Sequence, residues 1–527
     1  MKSLFSVLII LFLGLIAYSN SFFCSFHFDD QLHLILNPAI TKIHDLAGIW
    51  SYYHTRFITF LSMAFNYHLG GFNVLGYHIF NLAVHLITAA LVWWLVLLTL
   101  SAPSIKGDPI TKHASIISLF TGLVFVSHPI QTEAVTYIWE RAASMTAMFY
   151  LGSLCFYIKS KDGLIYYICS LLCAILAMFT KENAFTLPFM VLIYDYFFFK
   201  TDKGLSWELL LPFLLTLLII PLTLLLGQSQ QFQEHHGILR TPAGIITPLH
   251  YFLTQIRAMF TYIRLVFLPL GQNLDYDYPL YTSIFQWPVY VSFLCLIVIF
   301  YWTKRLFLNY RLLTFAICWF FLTLTVPESS FWAMGDLLLE HRLYLPLVGY
   351  SLFLVSGLYY LLGKSNLKAM ILILSIIVAL NAVLTYERNK VWKDELTLWS
   401  DVIQKSPRKA RGYINRGIFW ANQTDLTLAI ADFTKAIEID PGLAPSYYDR
   451  GNAWLVQSRV LEAISDYSNA IRLSPGYAIA YNNRAVAYYR MGNYAKAWAD
   501  VHRAESLGTI IDPVFLRMLT QASKRSL

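Results

Sequence analysis

Two adjacent aspartates, Asp29 and Asp30, follow the first apolar segment of the chain and are the strongest candidates for catalysis. A carboxylate held in a loop can take a proton from a hydroxyl group, which is general-base chemistry. Adjacent acids also occur in solvated turns and at helix N-termini, where a carboxylate accepts backbone N–H groups. The pair alone therefore leaves a catalytic and a structural interpretation open.

Three further clusters combine acids, histidines and cations: His128-Pro129 with Glu133 and Glu140-Arg141, then Lys181-Glu182, then Glu340-His341-Arg342. Together with the aspartates, such groups could activate a hydroxyl group and stabilise an anionic leaving group. Structural interpretations are a helix end at His128-Pro129, an interfacial ion pair at Lys181-Glu182, and a lipid-phosphate contact at Arg342. The clusters become informative only if the fold brings them together.

The composition excludes an ordinary soluble protein. Of the 527 residues, 57% are apolar and 13% are charged, and the mean hydropathy is +0.54, whereas a soluble domain carries about 25% charged residues. Residues 1–386 hold 37 of the charged residues, and the much shorter segment 387–527 holds 33. We therefore predict a membrane module over 1–386 and a water-soluble domain over 387–527.

Eleven apolar runs predict about eleven membrane spans. They lie near 1–18, 74–100, 115–127, 142–158, 164–180, 184–199, 207–227, 287–303, 312–327, 344–362 and 369–385. Lysine and arginine collect in alternate loops, which the positive-inside rule makes cytoplasmic. All four polar clusters, and the tail, then lie on the exoplasmic side. Two amphipathic segments, 55–69 and 250–268, are predicted to lie along the outer interface.

The tail repeats with a period of 34 residues, which is the spacing of tetratricopeptide repeats. Three full repeats cover 410–443, 444–477 and 478–511, with a half repeat at 387–409 and a cap at 512–527. Such arrays form a concave groove that binds polypeptides. The residues expected to line it are Tyr413, Asn415, Tyr447, Asp449, Tyr481 and Asn483, although the tyrosines could equally pack between helices.

The net charge of +8 does not indicate a nucleic-acid-binding protein, because the basic residues form no single stripe. The six cysteines lie in or beside apolar segments and indicate neither disulfides nor a zinc site. Lipid and polypeptide are the partners that the sequence favours, and nucleic acid is not expected.

The ordered motifs resemble those of the transmembrane and tetratricopeptide repeat-containing O-mannosyltransferases and their bacterial relatives. The resemblance is carried by Phe26 to Asp30 with Asn37, His128 to Val135 with Arg141, Lys181-Glu182, Glu340 to Pro346, and Trp392 to Trp399. It implies an all-α fold: a polytopic module like those of the C-type glycosyltransferase superfamily, followed by an α-solenoid. The short array, and arginine at positions 416, 450 and 484 where leucine is commoner, favour a bacterial relative.

The resemblance implies an inverting transfer of a sugar from a polyprenyl-phosphate donor to a hydroxyl of a protein or envelope glycan. Asp29 would be the base, and Asp30 would support it or the acceptor. The leaving phosphate would be held by Arg342, Lys181, Arg141 and His341, and the site would be supported by His128, Glu133, Glu182 and Glu340. The repeats would recruit the acceptor. No cofactor is expected, and the need for a divalent metal is left open.

The resemblance places the protein in a bacterial inner membrane with its repeats in the periplasm, or in the endoplasmic reticulum membrane with its repeats in the lumen. Two other functions stay open. An oligosaccharide ligase or polymerase that uses a polyprenyl-pyrophosphate donor also combines many spans with repeats, but would want more arginines in one large outer loop. A non-enzymatic membrane scaffold would have no need for Asp29, Glu182 or Arg342 at the lip of the membrane.

Overall fold

The computed structural model describes residues 2–199, 205–226, 240–241, 244–324 and 336–525. Apart from one antiparallel pair of two-residue strands, β1 Arg240–Thr241 and β2 Gly244–Ile245, the regular structure of this part of the chain is helical. The predicted all-α fold is thereby confirmed. Two compact units are present: Met1–Leu274 with Tyr278–Asp394, and Asp275–Asp277 with Glu395–Leu527. The predicted cytoplasmic lysines Lys200 and Lys203 lie outside the described residues.

The α-helices of the first unit are α1 Lys2–Ala17, α2 Leu46–Tyr52, α3 Phe57–Gly70, α4 Val74–Leu100, α5 Ala114–Ser127, α6 Thr132–Thr136, α7 Arg141–Lys159, α8 Leu164–Met178, α9 Leu187–Tyr194, α10 Trp207–Thr216, α11 Ile219–Leu226, α12 Pro248–Phe267, α13 Trp287–Leu306, α14 Arg311–Leu324, α15 Pro346–Leu358 and α16 Leu367–Asn389. Short 3₁₀ helices lie at Pro38–Thr41, His54–Arg56, Pro103–Ile105, Pro109–His113, Pro129–Gln131, Ser160–Asp162, Glu182–Thr186, Glu340–Leu343 and Lys390–Trp392. Single π-helical turns lie at Gln31–Ile35, Asp195–Phe199 and Tyr359–Gly363.

Six helical stretches of the described residues are long and apolar enough to cross a membrane: Val74–Leu100, Pro109–Ser127, Trp207–Leu226, Trp287–Leu306, Pro346–Gly363 and Leu367–Trp392. Shorter apolar helices lie at Ser3–Ala17, Leu164–Met178 and Arg311–Leu324. The predicted count of eleven spans is not confirmed. Among the remaining predicted spans, α7 carries many polar residues and is largely buried by other helices, and α9 has only 8 residues. The two segments predicted to be amphipathic helices correspond to α3 and α12.

Close helix packing anchors the turn that carries the Glu340 cluster. Helix α15 begins directly after Glu340–Leu343 and packs against α14. A Cβ atom at Gly349 would lie 2.6 Å from the carbonyl oxygen of Ala316 and 2.8 Å from the backbone nitrogen of Phe320. Only glycine allows this approach, because any larger residue would push the two helices apart.

The second unit consists of three helix pairs flanked by a single helix at each end. The bounds of these helices are α17 Glu395–Lys405, α18 Ala410–Asn422, α19 Leu426–Ile439, α20 Ala444–Val456, α21 Val460–Leu473, α22 Ala478–Arg490, α23 Tyr494–Ser506 and α24 Pro513–Arg525. The pairs are α18/α19, α20/α21 and α22/α23, and the single helices are α17 and α24. A Cβ atom at Gly417 would lie 2.7 Å from the ring of Phe433, and one at Gly451 would lie 2.8 Å from the ring of Tyr467. Small residues on the first helix of each pair therefore admit an aromatic ring from the second helix, as the repeat pattern predicts.

The arginines at the usual leucine position form a regular ladder. Each makes a bidentate ion pair with an aspartate 16 residues later, at 2.8–2.9 Å: Arg416 with Asp432, Arg450 with Asp466, and Arg484 with Asp500. Each also donates to a hydroxyl 16 residues earlier: Ser400 at 3.5 Å, Thr434 at 3.0 Å and Ser468 at 2.9 Å. A forked arginine thus ties each repeat internally and to the preceding helix, which leucine could not do.

Candidate active site

The two aspartates lie in the loop after α1, where the backbone is strained. Phe28 has φ of +42°, a left-handed conformation that a bulky residue rarely adopts. Asp29 is half-buried, and its backbone N–H donates to the Tyr137 hydroxyl at 2.9 Å. Asp30 is fully buried, and its Oδ2 accepts the backbone N–H of His27 at 2.9 Å. The turn therefore places adjacent carboxyl groups in different surroundings.

The difference in burial separates the chemistry of the two acids. Burial raises the pKa of Asp30 well above its ordinary value, and hydrogen bonds from the backbone N–H groups of His27 and Trp139 only partly oppose this rise. The adjacent charge of Asp29 raises the pKa of Asp30 further. A carboxyl group that keeps its proton can donate a hydrogen bond but cannot act as a base. The geometry therefore favours Asp29 over Asp30 as a proton acceptor.

A buried ion network connects three of the polar loops. His341 lies between two glutamates, with Nδ1 2.7 Å from Oε1 of Glu133 and Nε2 3.5 Å from Oε2 of Glu140. Lys181 donates to the same Glu140 oxygen at 3.0 Å, and no side chain of the four is more than 8% exposed. Burial alone would raise the pKa of Glu140, but the charges of His341 and Lys181 hold it below its ordinary value. Lys181, Glu140, His341 and Glu133 thus form one network.

Backbone groups fix the end of this network at Glu133. Its Oε2 accepts the backbone N–H groups of Glu340 at 3.0 Å and of His341 at 3.2 Å. The fully buried Glu340 in turn accepts the Gln272 side-chain amide at 2.9 Å and the Asn273 backbone N–H at 2.6 Å. Glu133 and Glu340 therefore organise the turn before α15.

Glu182 belongs to a separate ion pair. Arg56 donates to it from Nη2 at 3.1 Å and from Nε at 3.3 Å, and the Thr55 hydroxyl donates at 2.6 Å. Burial alone would raise the pKa of Glu182, but Arg56 lowers it below its ordinary value. The Arg56 guanidinium also lies 5.7 Å from the ring centroid of Trp139, which stacks on His33 at 4.1 Å. This pair therefore packs beside the loop that carries the aspartates.

The alternative interpretation of Lys181 and Glu182 as an ion pair with each other is wrong. Lys181 has an extended backbone, with φ of −159° and ψ of 149°, and successive side chains of an extended chain point to opposite sides. Lys181 therefore reaches Glu140, while Glu182 reaches Arg56.

Arg141 lies apart from the ion network and is fully buried. Its guanidinium donates to Asn81 Oδ1 and Asn66 Oδ1 at 2.7 Å each, and to the carbonyl oxygen of Tyr77 at 3.2 Å. It also donates to the Ser62 hydroxyl at 3.3 Å. Protein acceptors on α3 and α4 thus occupy the guanidinium, which fits a structural role better than the predicted contact with phosphate.

His128 also has a structural placement. Its Nδ1 accepts the backbone N–H of Ile130 at 3.2 Å, and its Nε2 lies 3.0 Å from the carbonyl oxygen of Val266. Burial lowers its pKa to about 4, so the ring is neutral at physiological pH. Both ring nitrogens are used, and His128 serves to hold the 3₁₀ turn Pro129–Gln131 in place. His128 therefore lies where the structural interpretation of the sequence places it, at the end of a helix.

Arg342 differs from the other predicted phosphate-binding residues in its exposure. It is half-buried and donates to the carbonyl oxygen of Asp336 at 3.1 Å, whereas Lys181, Arg141 and His341 are buried. Among these four residues, Arg342 therefore offers the most accessible positive charge, and the buried ion network holds its turn. Within the ranges that the structure describes, no group of three or more His, Cys, Asp or Glu side chains is placed to hold a metal ion.

Several residues beside the candidate site were missed by the sequence reasoning: Arg56, Tyr137, Trp139, Gln272 and Asn273. Trp139 and Tyr137 stand close to Glu140 and Arg141 in the sequence, so that cluster could have been extended to include them. Arg56 carries a weaker signal as a lone cation at the start of an amphipathic segment. Gln272 and Asn273 carry no local signal, because uncharged amides are common in loops.

The residues expected to line the repeat groove fall into two groups. The tyrosines lie beneath the arginine ladder, with ring centroids 5.6–6.0 Å from the guanidinium carbons: Tyr413, Tyr447 and Tyr481. These contacts fit the packing interpretation. The polar position two residues later behaves differently in each repeat: Asn415 donates to the carbonyl oxygen of Arg411 at 2.9 Å, and Asn483 donates to Asn452 Oδ1 at 2.9 Å. Asp449 is half-buried.

Comparison with known proteins gives similar proteins for most of the chain. Residues 457–492 match the family model described as TPR repeat. Protein O-mannosyl-transferase TMTC3 of Mus musculus is 24% identical over 473 residues, covering 80% of this chain and 50% of the relative. Protein O-mannosyl-transferase Tmtc3 of Drosophila melanogaster is 24% identical over 520 residues, covering 83% of this chain and 55% of the relative. The chain spans about half the length of these curated relatives.

A solved structure, "Crystal structure of APC/C hetero-tetramer Cut9-Hcn1", aligns over 93% of this chain and 95% of that chain, at 11% identity and a TM-score of 0.25. That TM-score is too low to indicate a shared overall fold. The sequence comparisons agree with the resemblance drawn from the motifs: the chain is similar to the TMTC O-mannosyltransferases and carries a tetratricopeptide repeat region.

Proposed function

We propose that the protein is an inverting membrane glycosyltransferase. It moves a sugar from a polyprenyl-phosphate donor to a hydroxyl of a protein, or of an envelope glycan, on the exoplasmic side of the membrane, and its repeats recruit the acceptor. The observation that carries the proposal is the half-buried Asp29 beside the fully buried Asp30, in a chain similar over 80% of its length to a protein named O-mannosyl-transferase.

The side chains suggest how the transfer proceeds. The carboxylate of Asp29 takes the proton of the acceptor hydroxyl as its oxygen attacks the anomeric carbon. The bond between that carbon and the phosphate oxygen breaks, and polyprenyl phosphate leaves with the electron pair. Arg342 stabilises the charge that develops on the phosphate. Asp30, whose pKa is raised by burial, accepts the backbone N–H of His27 in the same loop and is less available as a proton acceptor.

The buried ion network holds Arg342 in position and takes no direct part in the reaction. Glu133 holds the backbone N–H groups of Glu340 and His341, directly before Arg342. Since all four of its side chains are buried and paired, the network keeps this turn rigid, and a rigid turn places the Arg342 charge at a fixed point. We assign Lys181 and His341 to this positioning role.

A direct assay tests the proposal. Purified full-length protein in detergent is incubated with a polyprenyl-phosphate-linked mannose, with the same prenol carrying glucose, or with a pyrophosphate-linked oligosaccharide, each with a Ser/Thr-containing peptide pool. We expect transfer to peptide from a monophosphate donor only. Transfer solely from the pyrophosphate donor would indicate the ligase. No transfer to peptide from any donor would exclude a protein acceptor, and if a deletion strain also lost no sugar from its envelope glycans, the non-enzymatic scaffold would be the remaining function. A deletion strain whose envelope proteins and glycolipids lose one hexose or pentose would identify the sugar and the acceptor.

The orientation of the chain is a second expectation. If the repeats face the periplasm of a bacterial inner membrane, Gln457→Cys should react with an impermeant maleimide in intact cells whose outer membrane has been permeabilised. Ser365→Cys, in a predicted cytoplasmic loop, should react only after the inner membrane is opened. Both positions are exposed, and both variants need a background without the six native cysteines. The opposite labelling pattern would invert the topology and remove the exoplasmic site.

A further inference from the structure

Asp449 differs from the other aspartates of the second unit. Three of these aspartates accept backbone N–H groups and thereby cap a helix or a turn: Asp425, Asp440 and Asp512. The others pair with lysine or arginine: Asp275, Asp277, Asp401, Asp432, Asp466 and Asp500. Within the described part of the chain, Asp449 makes neither a hydrogen bond nor an ion pair.

Two tyrosines, Tyr448 and Tyr477, lie beside Asp449. The rings of Tyr448 and Tyr477 lie 5.2 Å apart, and the charge of Asp449 adds to burial in raising the pKa of both hydroxyls, which places the carboxylate beside them. The side-chain amide of Asn483 donates to the Tyr448 hydroxyl at 3.0 Å and to Asn452 Oδ1 at 2.9 Å. The Tyr448 hydroxyl and the Asn483 amide are therefore engaged with each other, and neither donates to the carboxylate of Asp449.

This arrangement favours a cation from outside the unit. The half-buried carboxylate is only partly shielded from water, and this burial raises the pKa of Asp449 to about 7. A cation beside it would favour its charged form. The closest arginines along the helices are committed elsewhere, Arg450 to Asp466 and Arg484 to Asp500. Tyrosine rings beside a carboxylate add cation–π attraction to its charge, and this combination suits an ammonium or guanidinium group.

We propose that Asp449 receives a lysine or arginine side chain of the acceptor polypeptide, so that the repeats select acceptor segments that carry a positive charge. This inference rests on the proposed role of the repeats in recruiting the acceptor, and it names the chemistry by which they do so. A peptide groove supplies the contact with the backbone of such a segment, and the unpaired carboxylate supplies the selectivity for its side chain.

The repeats themselves provide a matched variant. Asn415 and Asn483 occupy the positions 34 residues before and after Asp449. Asp449→Asn therefore introduces a side chain that the neighbouring repeats already carry, and it removes only the charge. Glu505→Gln removes a negative charge from an exposed position of the repeats and controls for long-range electrostatics. Asp449→Glu keeps the charge and should retain the selectivity.

The test uses full-length protein in detergent and two pools of fluorescent seven-residue peptides with a central serine or threonine. One pool carries a single lysine or arginine at varied positions, and the other carries glutamine there. We expect wild type, Asp449→Glu and Glu505→Gln to bind the cationic pool roughly tenfold more tightly than Asp449→Asn does, as for the loss of one charged hydrogen bond. All four proteins should bind the glutamine pool equally, and the thermal unfolding of Asp449→Asn should match that of wild type.

Equal binding of the cationic pool by wild type and Asp449→Asn would overturn the inference, as would a preference of wild type for the glutamine pool. Because peptide binding is measured without sugar transfer, this result is separate from the proposed activity. A charge-selective groove in a protein that transfers no sugar would defeat the proposed enzyme and support the selectivity. Transfer without charge selectivity would defeat only the role of Asp449.

Discussion

Asp29→Asn should abolish most sugar transfer, with a loss of about 10²–10⁴-fold from general-base catalysis alone. Asparagine keeps the size and polarity of the side chain but cannot accept the proton of the hydroxyl group. The backbone N–H of Asp29 donates to the Tyr137 hydroxyl, and the substitution leaves this bond in place. Protein level and binding of the polyprenyl-phosphate donor should therefore match wild type, and turnover of a saturating acceptor peptide should fall.

Asp30→Asn is the matched control for this prediction. Burial raises the pKa of Asp30 and so favours its neutral form, which asparagine resembles. The asparagine amide oxygen can still accept the backbone N–H of His27. We expect a smaller loss of transfer than for Asp29→Asn. Near-normal transfer by purified Asp29→Asn would overturn the assignment of the base. If Asp30→Asn were the inactive variant, the roles of the two acids would have to be exchanged.

The repeat region could be predicted from sequence because its structure is local. All residues of a helix pair lie within one stretch of 34 residues. The recurring small and aromatic residues are those that contact each other inside the pair, as in the packing of Gly417 against the ring of Phe433. The arginine ladder appeared in the sequence only as a departure from the usual pattern. Its meaning depends on Asp432, Asp466 and Asp500, which share the same 34-residue period and could have been paired with the arginines at a constant spacing of 16.

The membrane module was harder to predict, because hydropathy does not tell which apolar helices meet lipid. Helix α7 carries an arginine, serines, a threonine and tyrosines but is largely enclosed by other helices. Apolar runs alone do not distinguish a helix that meets other helices from one that meets lipid, so the predicted span at 142–158 is not confirmed. Residue types alone identify the polar clusters in the sequence. They do not show which side chains of different clusters contact each other. Glu133 and His341 are 208 residues apart in the chain, and no local spacing encodes such a contact.

The same limit explains why the sequence predicts a contact of Lys181 with phosphate that the structure does not favour. From sequence, a lysine at the lip of the membrane is a natural partner for an anionic leaving group. In the structure, Lys181 is 2% exposed and bound to Glu140, which the surrounding positive charges hold ionised. A cation that is buried in an ion pair stabilises the structure of a site. A half-buried cation such as Arg342 remains accessible and can bind a ligand.

Lys181→Met should therefore destabilise the protein strongly, by about 3–5 kcal/mol, because it leaves Glu140 as a buried charge without its lysine partner. Thermal or denaturant-induced unfolding of the purified protein in detergent measures the loss. The sign of the pH dependence follows from the pKa of Glu140, which lies below its ordinary value of 4.5. The stabilisation from this pair is present above that value and is lost as the pH falls below it. The gap between wild type and variant should therefore narrow in acid.

The double variant Lys181→Met/Glu140→Gln tests whether the loss of stability comes from the unpaired negative charge of Glu140. Glutamine removes that charge and keeps an acceptor for His341, so the double variant should regain most of the stability lost by Lys181→Met. Lys390→Met provides the contrast, since Lys390 and Glu387 form an ion pair whose side chains are 54% and 57% exposed, and its removal should change stability little. Equal stability of wild type and Lys181→Met would show that Glu140 is solvated or neutral. In that case the network could not hold the turn before Arg342, and the positioning role assigned to Lys181 and His341 would fail with it.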